Sequence, residues 1–391
     1  MIDYENTVCR AVRDLKPSGI RKFFDIAAEM DDVISLSIGE PDFVTPWHIR
    51  EAGIISLEQG KTHYTSNAGV AELREEIAAY LERRFKLKYA SEQIIMTVGG
   101  SEGIDVAIRT LVEPGDEVLI PEPCFVCYDP LTRLAGGVPK GIVTREEDEF
   151  RLTAEALRKA ITPKTKLLVL PYPNNPTGAI MTKEDLEAIA EVLKDTNIYV
   201  LSDEIYAELT YGKKNHVSIA SISEDMAQRT IVVSGFSKAY SMTGWRLGYL
   251  AAPKPLIKLM LKIHQYGIMS SPSTAQYAAL EAMRNGDEDV RMMRAEYNCR
   301  RKFIRKGLEE LGFPCFEPLG AFYIFPNISR LGMSSEEFCE KLIYEQRLAV
   351  VPGNAFGESG EGHVRISYAY SKENLKEALR RLKLFVEEHT K

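Results

Sequence analysis

The segment KLLVLPYPNNPTG, residues 166–178, joins a short apolar run to a turn rich in proline and asparagine. The run is apolar on both faces, which is typical of a strand covered by helices on both sides of a parallel sheet. Runs of the same kind occupy 94–98, 198–201 and 230–233. We therefore expect four buried strands in a mostly parallel sheet.

Amphipathic segments separate these runs, as in an α/β domain. Apolar residues recur four positions apart in 71–85, which predicts a helix. A second helix is expected after Thr182 to Asp185, which resembles a capping box, and a third over about 103–112. The alternation of strands and helices predicts one large α/β domain over residues 46–280.

The chain changes character after residue 280. A charged stretch at about 287–311 predicts a long helix, and short apolar runs in GAFYIFP, RLAVVPG and HVRISY predict strands. A last amphipathic helix carries apolar residues on one face: Leu375, Leu379, Leu382 and Val386. These elements predict a smaller α+β domain over 281–391. The N-terminal segment, 1–45, is too short to fold alone, and we group it with that domain.

The composition is that of an ordinary globular enzyme. Of the 391 residues, 45% are apolar and 27% are charged, which excludes a disordered or collagen-like chain. The formal net charge of −7 means that the overall composition has no excess of positive charge, which a nucleic-acid-binding protein would be expected to have. No uncharged apolar stretch approaches the roughly 18–20 residues that span a bilayer, and the N-terminus lacks a signal region. We expect a cytoplasmic protein with no membrane and no nucleic-acid partner.

Six cysteines are too few and too scattered for a disulfide framework. Cys124 and Cys127 form a suggestive pair, but a redox or zinc site would need a second pair or nearby histidines. Two buried thiols beside a strand are the favoured interpretation. The sequence also lacks a histidine cluster with metal spacing, a GxSxG elbow and a Walker loop. We expect no metal site.

Lys238 is the first candidate for chemistry, in SGFSKAYSMTGWRLGY after the run at 230–233. A lysine in a dry pocket has a lowered pKa and becomes a nucleophilic amine that can form a Schiff base. The alternative for any one lysine is a solvated surface charge. That alternative is weakened here, because an apolar, hydroxyl-rich junction makes a lysine costly without a partner or a function.

Asp203 ends the run IYVLSD, and the carboxyl edge of a parallel sheet is where ligands bind. A carboxylate in that place can pair with a cationic ring nitrogen, and Tyr206 can reach the same ligand. The alternative is an N-capping aspartate beside a packing tyrosine. On these residues alone the two interpretations stay open.

Three further features are candidate anion sites. The turn Gly99 to Gly103 lies where a strand gives way to a helix, so it is either a phosphate cradle or a structural turn. The Asn175 amide can bond a phenolate or a carboxylate, unless NNPTG is a plain tight turn. Arg365 lies in a predicted strand and needs an anion, either a substrate carboxylate or an intramolecular partner.

The order and spacing of these residues resemble the class I/II aminotransferases, pyridoxal-phosphate enzymes of the aspartate aminotransferase fold type. SKAYSMTGWRLGY is a specific motif of that family, and IGEPDF, HYTSNAG, NNPTG and GAFYIFP agree in position. The resemblance covers nearly the whole chain and implies an α/β fold, the pyridoxal-phosphate-dependent transferase fold type I. That fold has a large domain with a mostly parallel seven-stranded sheet between helices, plus a smaller α+β domain.

The resemblance also implies which residues bind the cofactor, pyridoxal 5′-phosphate. Lys238 would hold it as a Schiff base and Asp203 would pair with its ring nitrogen. Tyr206 and Asn175 would bond the phenolic oxygen, and Phe125 would stack on the ring. Lys238, Asp203 and Tyr206 are therefore the expected catalytic residues.

The phosphate would be bound by Arg246, Gly100, Ser101 and Glu102, as the same resemblance implies. Some relatives have a phosphate-binding serine where this chain has Gly235, so Ser234 or Ser237 would supply the hydroxyl, and we name Ser237 as a binding residue. Tyr64 resembles the tyrosine that reaches the phosphate of the neighbouring subunit. This implies a homodimer with shared active sites.

For the substrate, the resemblance implies that Arg365, helped by Asn175 and the backbone of Gly39, binds the α-carboxylate, with Phe125 beside it. The implied reaction moves the amino group of an L-amino acid to a 2-oxo acid through the Lys238 Schiff base and pyridoxamine phosphate. The substrate pair stays open among aspartate, alanine, aromatic and diaminopimelate-type amino acids.

A carbon–sulfur β-lyase of the cystathionine β-lyase kind is the main alternative, since it would keep nearly all of these residues on the same fold. Its products, ammonia and pyruvate, would distinguish it from amino-group transfer. A regulator that binds the cofactor without catalysis usually carries an added DNA-binding domain, for which the N-terminal segment is too short. A non-enzymatic α/β scaffold would leave the ordered set of residues unexplained.

Overall fold

The computed structural model describes residues 2–15, 19–212 and 215–390, and its strands form one large sheet and two small ones. In chain order the strands are β1 (Ile34–Ser35), β2 (Ile94–Thr97), β3 (Glu117–Glu122), β4 (Val138–Val143), β5 (Thr165–Leu170), β6 (Tyr199–Asp203), β7 (Thr230–Gly235), β8 (Gly248–Ala251), β9 (Tyr323–Ile324), β10 (Leu348–Ala349), β11 (Val351–Pro352) and β12 (Val364–Ser367). The large sheet has the order β2-β8-β7-β6-β5-β3-β4. Strand β8 runs antiparallel to β2 and β7, and the other neighbours are parallel. This confirms the mostly parallel seven-stranded sheet.

Helices cover both faces of the large sheet. In chain order the described helices are α1 (Tyr4–Thr7), α2 (Arg10–Arg13), α3 (Gly19–Glu29), α4 (Trp47–Glu58), α5 (Ala71–Phe85), α6 (Gly99–Leu111), α7 (Tyr128–Leu134), α8 (Ala154–Ala160), α9 (Lys183–Leu193), α10 (Glu224–Arg229), α11 (Lys254–Gly267), α12 (Ser273–Asn285), α13 (Asp287–Glu310), α14 (Ser335–Gln346) and α15 (Lys372–His389). One face packs against α6, α7 and α11, and the other against α5, α12, α8 and α9. None of the described helices combines the length and apolar character needed to cross a bilayer.

Strand β5 shows why the central strands are apolar throughout. Successive residues of a strand point to opposite faces, so Leu167 and Val169 enter one core and Leu168 and Leu170 enter the other. All four side chains are buried. The four strands expected from such runs are confirmed as β2, β5, β6 and β7.

The predicted helices are confirmed as α5, α9 and α6, with one difference at a helix start. Before α9, Thr182 and Asp185 exchange the two hydrogen bonds of a capping box. Helix α6, however, begins at Gly99 rather than near residue 103. Glycine has a low helix propensity, so the first turn does not show in the apolar pattern. The Glu102 carboxylate stabilises that turn by accepting from the N–H of Val98.

The C-terminal part of the chain forms a smaller α+β unit. Its antiparallel sheet, β11-β12-β9, shares a core with α13, α14 and α15. Strand β1 of the N-terminal segment pairs in parallel with β10, which ties that segment to the smaller unit. Helix α12, in which the predicted boundary at residue 280 falls, packs against α4 and α5. The exact domain bounds stay a prediction.

One edge of the large sheet collects the candidate functional residues. Strands β2, β3, β5, β6 and β7 are parallel, so their carboxyl ends lie at the same edge, and the loops that follow them carry most of the predicted site residues. Strand β8 is antiparallel, so its amino end, just after Arg246, also lies there. Ligands of open α/β sheets bind in the crevice at this edge.

Candidate active site

A cavity of about 290 Å³ lies at this edge, between the large sheet and the strands β9 and β12. Most of the predicted site residues line it: Gly39, Gly100, Ser101, Phe125, Asn175, Asp203, Tyr206, Ser237, Lys238, Arg246 and Arg365. Two predicted residues, Glu102 and Tyr64, do not line it. The fold therefore assembles one site from residues spread along almost the whole sequence.

The amine of Lys238 lies in this cavity and donates a 2.7 Å hydrogen bond to the carbonyl oxygen of Gly39. Burial lowers the pKa of Lys238 to about 8, against the opposing effect of the Glu40 carboxylate. The positive charges of Arg365 and Arg246 contribute to the lowering. A fraction of the amine is therefore neutral, and hence nucleophilic, close to neutral pH.

Asp203 is buried at the end of β6, and its carboxylate has two described donors. Its Oδ2 accepts a 2.7 Å hydrogen bond from the hydroxyl of Tyr128, and its Oδ1 accepts from the N–H of Ile205 at 3.2 Å. Burial raises the pKa of Asp203, and these hydrogen bonds oppose the rise. A buried carboxylate in this state is suited to pair with a cationic group of a ligand.

Two tyrosine hydroxyls meet beside the lysine. The hydroxyl oxygens of Tyr206 and Tyr323 lie 2.7 Å apart in a hydrogen bond, and both side chains are buried. The Nζ of Lys238 lies 5.9 Å from the centre of the Tyr206 ring. The phenol of Tyr206 is thus held at the wall of the cavity next to the amine.

Arg365 supplies a guanidinium that is held from several sides and still has a free donor. Its Nη1 donates to Oδ1 of Asn175 at 2.9 Å, and its Nη2 donates to the carbonyl oxygen of Ser37. The buried Nε has no hydrogen-bond partner among the residues that the structure describes. Because an unpaired buried donor is costly, this arrangement fits a site that awaits an anion such as a carboxylate.

The amino end of α6 and Arg246 form a second candidate anion site. Gly100 and Ser101 belong to the first turn of α6, where backbone N–H groups have no partner within the helix. A Cβ added at Gly99, which has a φ of 73°, would lie 2.6 Å from Nη2 of Arg246. Only glycine at this position therefore lets the guanidinium approach the helix end this closely. Ser237 lines the cavity as well.

The structure places two other predicted phosphate ligands away from the cavity. The carboxylate of Glu102 accepts from the N–H of Val98 and is 2.6 Å from Nδ1 of His264. It therefore caps the amino end of α6 from within the first turn. The hydroxyl of Ser234 donates to the carbonyl oxygen of Glu204 at 3.1 Å. Between the two open choices for the hydroxyl ligand, this geometry favours Ser237 over Ser234.

The residues present fit pyridoxal phosphate. The buried Asp203 carboxylate suits a protonated ring nitrogen, and Lys238 is an amine with a lowered pKa. The helix end beside Arg246 suits a phosphate, and the unpaired Nε of Arg365 suits a substrate carboxylate. These groups thus match the ring nitrogen, the aldehyde and the phosphate of the cofactor, and the carboxylate of an amino acid.

Comparison with known proteins decides the family. The family model described as aminotransferase class I and II matches residues 31–382, which is most of the chain. The chain belongs to the class I and II aminotransferases. This confirms the predicted family, whose members generally depend on pyridoxal phosphate.

Named relatives of this aminotransferase support the same conclusion. A putative aminotransferase named YugH from Bacillus subtilis is 54% identical over 97% of this chain and 98% of its own length. An aspartate aminotransferase from Pyrococcus abyssi is 47% identical over 96% and 97%. The crystal structure of an aromatic aminotransferase from Pyrococcus horikoshii has a TM-score of 0.89 and 44% identity, over 94% and 99%. The fold type and the aminotransferase activity are confirmed, and the relatives differ in the substrates for which they are named.

Sequence reasoning missed one residue and one contact of the aminotransferase cavity. Tyr128, which bonds Asp203, was not singled out, and Tyr323 was not connected with Tyr206. A signal was present for the first: Tyr128 follows Phe125 by three residues, after the carboxyl end of β3. The second contact joins the loop after β6 of the large sheet to β9 of a small sheet, and no local pattern indicates it.

The predicted cysteine pair lies beside this cavity without forming a disulfide. Cys124 is buried, Cys127 is partly buried, and both are free. Within the described ranges, no group of three or more histidine, cysteine, aspartate and glutamate side chains is arranged to hold a metal ion. Cys124 belongs to the apolar core on one face of the large sheet, and Cys127 and Phe125 pack against that core.

Proposed function

We propose that this aminotransferase moves the amino group of an L-amino acid to a 2-oxo acid, with pyridoxal phosphate bound covalently by Lys238. One observation carries the proposal: the same cavity is lined by a partly buried amine of lowered pKa, a buried carboxylate and a buried guanidinium. These groups belong to Lys238, Asp203 and Arg365. They match the aldehyde of the cofactor, its ring nitrogen and the carboxylate of the substrate.

Residues around Lys238 hold the ring in this proposal. Asp203 pairs with the ring nitrogen, Tyr206 and Asn175 bond the phenolic oxygen, and Phe125 stacks on the ring. Support comes from their common place in the lining of the cavity. Since Asp203 and Tyr206 are already held by other hydroxyls, little reorganisation is needed on binding.

The phosphate binds at the amino end of α6 in the same proposal. The ligands are the N–H groups of Gly100 and Ser101, the hydroxyl of Ser237 and the guanidinium of Arg246. The positive end of the helix macrodipole and the charge of the arginine both favour a dianion there. Glu102 contributes to this site by holding the first turn in shape.

The reaction uses Arg365 to orient the substrate and Lys238 to move the proton. When bound, pyridoxal phosphate supplies an aldehyde carbon that bonds to amines and a ring that withdraws electrons from Cα of the substrate. Arg365 binds the α-carboxylate with the N–H donors of its planar fork. The free amine of Lys238 then takes the proton from Cα, and the same Nζ donates it later in the cycle.

The assembly, the location and the substrate pair stay predictions. Tyr64 is 83% exposed, as expected for a residue that would reach the phosphate of a second subunit in a homodimer. A cytoplasmic location and the identity of both substrates also stay predictions. The relatives reported above are named aminotransferases, which favours amino-group transfer over the carbon–sulfur lyase reaction.

The decisive experiment mixes the purified protein, loaded with pyridoxal phosphate, with single L-amino acids and follows its visible absorbance. We expect one amino acid or a small group of them to bleach the absorbance band, and a 2-oxo acid to restore it. Ammonia and pyruvate released from cystathionine would support the lyase instead. A protein that is colourless after incubation with pyridoxal phosphate and removal of the unbound cofactor would refute the cofactor assignment.

A further inference from the structure

Tyr323 of β9 contacts two parts of the proposed site at once. Its hydroxyl oxygen lies 2.7 Å from that of Tyr206, and the centre of its ring lies 4.6 Å from Cζ of Arg365. Tyr206 follows β6 of the large sheet, whereas Arg365 belongs to β12. One buried side chain therefore joins a cofactor ligand to the substrate ligand.

The register of the small sheet produces this contact. Tyr323 pairs with Ser367 across β9 and β12, and Arg365 lies two residues before Ser367. Residues two apart on a strand share a face, so Tyr323 and Arg365 are diagonal neighbours on one face of the sheet. The guanidinium can then lie over the aromatic ring, which stabilises the cation.

The hydroxyl of Tyr323 also packs closely against the backbone of Gly39. A Cβ added at Gly39 would lie 2.2 Å from this oxygen, so residue 39 leaves room for the hydroxyl only as glycine. The carbonyl oxygen of Gly39 accepts the hydrogen bond of Lys238. The side chain of Tyr323 is 1% exposed, so its hydroxyl is shielded from water and depends on Tyr206 for a hydrogen bond.

The number of protons sets the direction of the hydrogen bond between the two tyrosines. A hydroxyl has one proton to donate and lone pairs to accept. If Tyr206 donates its proton to the phenolic oxygen of the cofactor, it must accept from Tyr323. The chain of donors then runs from Tyr323 to Tyr206 to the cofactor.

We propose that Tyr323 is a positioning residue, whose hydroxyl directs the proton of Tyr206 to the cofactor and whose ring holds the plane of Arg365. The inference rests on the proposed binding of pyridoxal phosphate beside Tyr206. It adds a separate role for each part of one side chain: the hydroxyl acts on the cofactor and the ring acts on the substrate carboxylate.

The test compares Tyr323→Phe, which removes only the hydroxyl, with Tyr211→Phe as a matched control. Tyr211 is also buried, and its hydroxyl donates to the carbonyl oxygen of Ala321 at 2.6 Å, outside the lining of the cavity. Each variant loses one buried hydrogen bond, so a purely structural effect lowers the thermal midpoint in both. Tyr323→Leu removes the ring as well.

The first readout is the pH midpoint of the visible absorbance of the bound cofactor. When the bound cofactor loses its proton, negative charge stays on its phenolic oxygen. Tyr206 stabilises that charge less when the Tyr323 hydroxyl no longer donates a hydrogen bond to Tyr206. We expect Tyr323→Phe to move the midpoint upward by roughly half a pH unit, the size expected for one hydrogen bond. Tyr211→Phe should keep the wild-type midpoint.

The second readout separates kcat from KM. With the ring still beneath Arg365, Tyr323→Phe should lower kcat several-fold and change KM for the amino acid by less than about twofold. Tyr323→Leu should raise that KM as well. A Tyr323→Phe enzyme with the wild-type midpoint and kcat would overturn the inference. A wild-type protein that neither binds pyridoxal phosphate nor transfers an amino group would overturn the proposed function instead.

Discussion

The hydroxyl of Tyr128 donates a 2.7 Å hydrogen bond to Oδ2 of Asp203, although the two residues lie 75 positions apart in the chain. Both side chains are buried. Burial alone raises the pKa of Asp203, and the hydrogen bond from Tyr128 opposes that rise. Tyr128 therefore helps to keep the carboxylate ionised, which the proposed pairing with a protonated ring nitrogen requires.

Replacing this donor tests the relationship. Tyr128→Phe should raise the pKa of Asp203, because the carboxylate loses a donor that favours its charged form. The proposed reaction needs the Asp203 anion, so the activity should fall as the pH drops through that pKa. We expect the acid limb of the kcat/KM profile to move upward by roughly half a pH unit to one unit. An acid limb identical to that of the wild type would argue against this role.

Lys238→Ala should abolish turnover while the fold is kept. The variant loses both the covalent attachment of the cofactor and the group that moves the proton, so kcat should fall by more than about 10³-fold. Lys258→Ala is the matched control, since Lys258 is exposed on α11 and should keep activity within about twofold. Turnover of Lys238→Ala near the wild-type rate would refute the assignment.

The lowered pKa of Lys238 predicts how the protein without cofactor captures pyridoxal phosphate. Burial lowers that pKa to about 8, and only the neutral amine attacks an aldehyde. The rate of capture should therefore rise with pH and level off above about pH 8, rather than above the ordinary lysine pKa of about 10.4. Stopped-flow absorbance measures the profile, and a rate still rising tenfold per unit beyond pH 9 would contradict the lowered pKa.

Arg365→Lys should weaken substrate binding and spare cofactor binding. A lysine keeps the charge but loses the planar fork that holds a carboxylate with two N–H groups. We expect KM for the amino acid to rise by about 10- to 100-fold, which corresponds to roughly 1.4 to 2.8 kcal/mol. The Kd for pyridoxal phosphate serves as the control, and a parallel rise in that Kd would show that the variant disturbs the whole cavity.

Tyr64→Phe tests the homodimer with shared sites. Tyr64 is 83% exposed and lies outside the lining of the cavity, so within one chain its hydroxyl should contribute little to cofactor binding. In the proposed dimer it reaches the partner's phosphate, and its loss should raise the Kd for pyridoxal phosphate by about tenfold, as for one hydrogen bond to a charged group. Light scattering gives the assembly state. A monomeric protein, or an unchanged Kd, would contradict the shared site.

The central strands were predictable because helices cover both faces of the sheet, so every position of these strands requires an apolar residue. Leu167 to Leu170 face two helical layers in alternation, so all of them are apolar and the run is continuous. The start of α6 was not predictable in this way. Its first turn contains Gly99 and Gly100, which add no side chain to the apolar pattern.

Several candidate site residues were predicted from the sequence because they follow a strand or belong to a motif. Asp203 ends β6, and Lys238 follows β7 by three residues, so the loops at the carboxyl edge place both of them. The phosphate residues were harder, since Ser234 and Ser237 are equivalent choices in the sequence. Only the tertiary contacts separate them: the Ser234 hydroxyl donates to a carbonyl oxygen, whereas Ser237 lines the cavity.

The sequence by itself determined four central strands, several helices and the family, and it predicted most of the candidate residues that line the cavity, because these depend on local patterns and on motifs of short range. Only the tertiary structure decided which of them meet. The antiparallel direction of β8 brings Arg246 to the edge where the parallel strands end, and the register of β9 and β12 sets Tyr323 against Arg365. Strand order and register are properties of pairs of segments far apart in the chain, so the physical contacts that tune Asp203 and Tyr206 exist only once those pairs have formed.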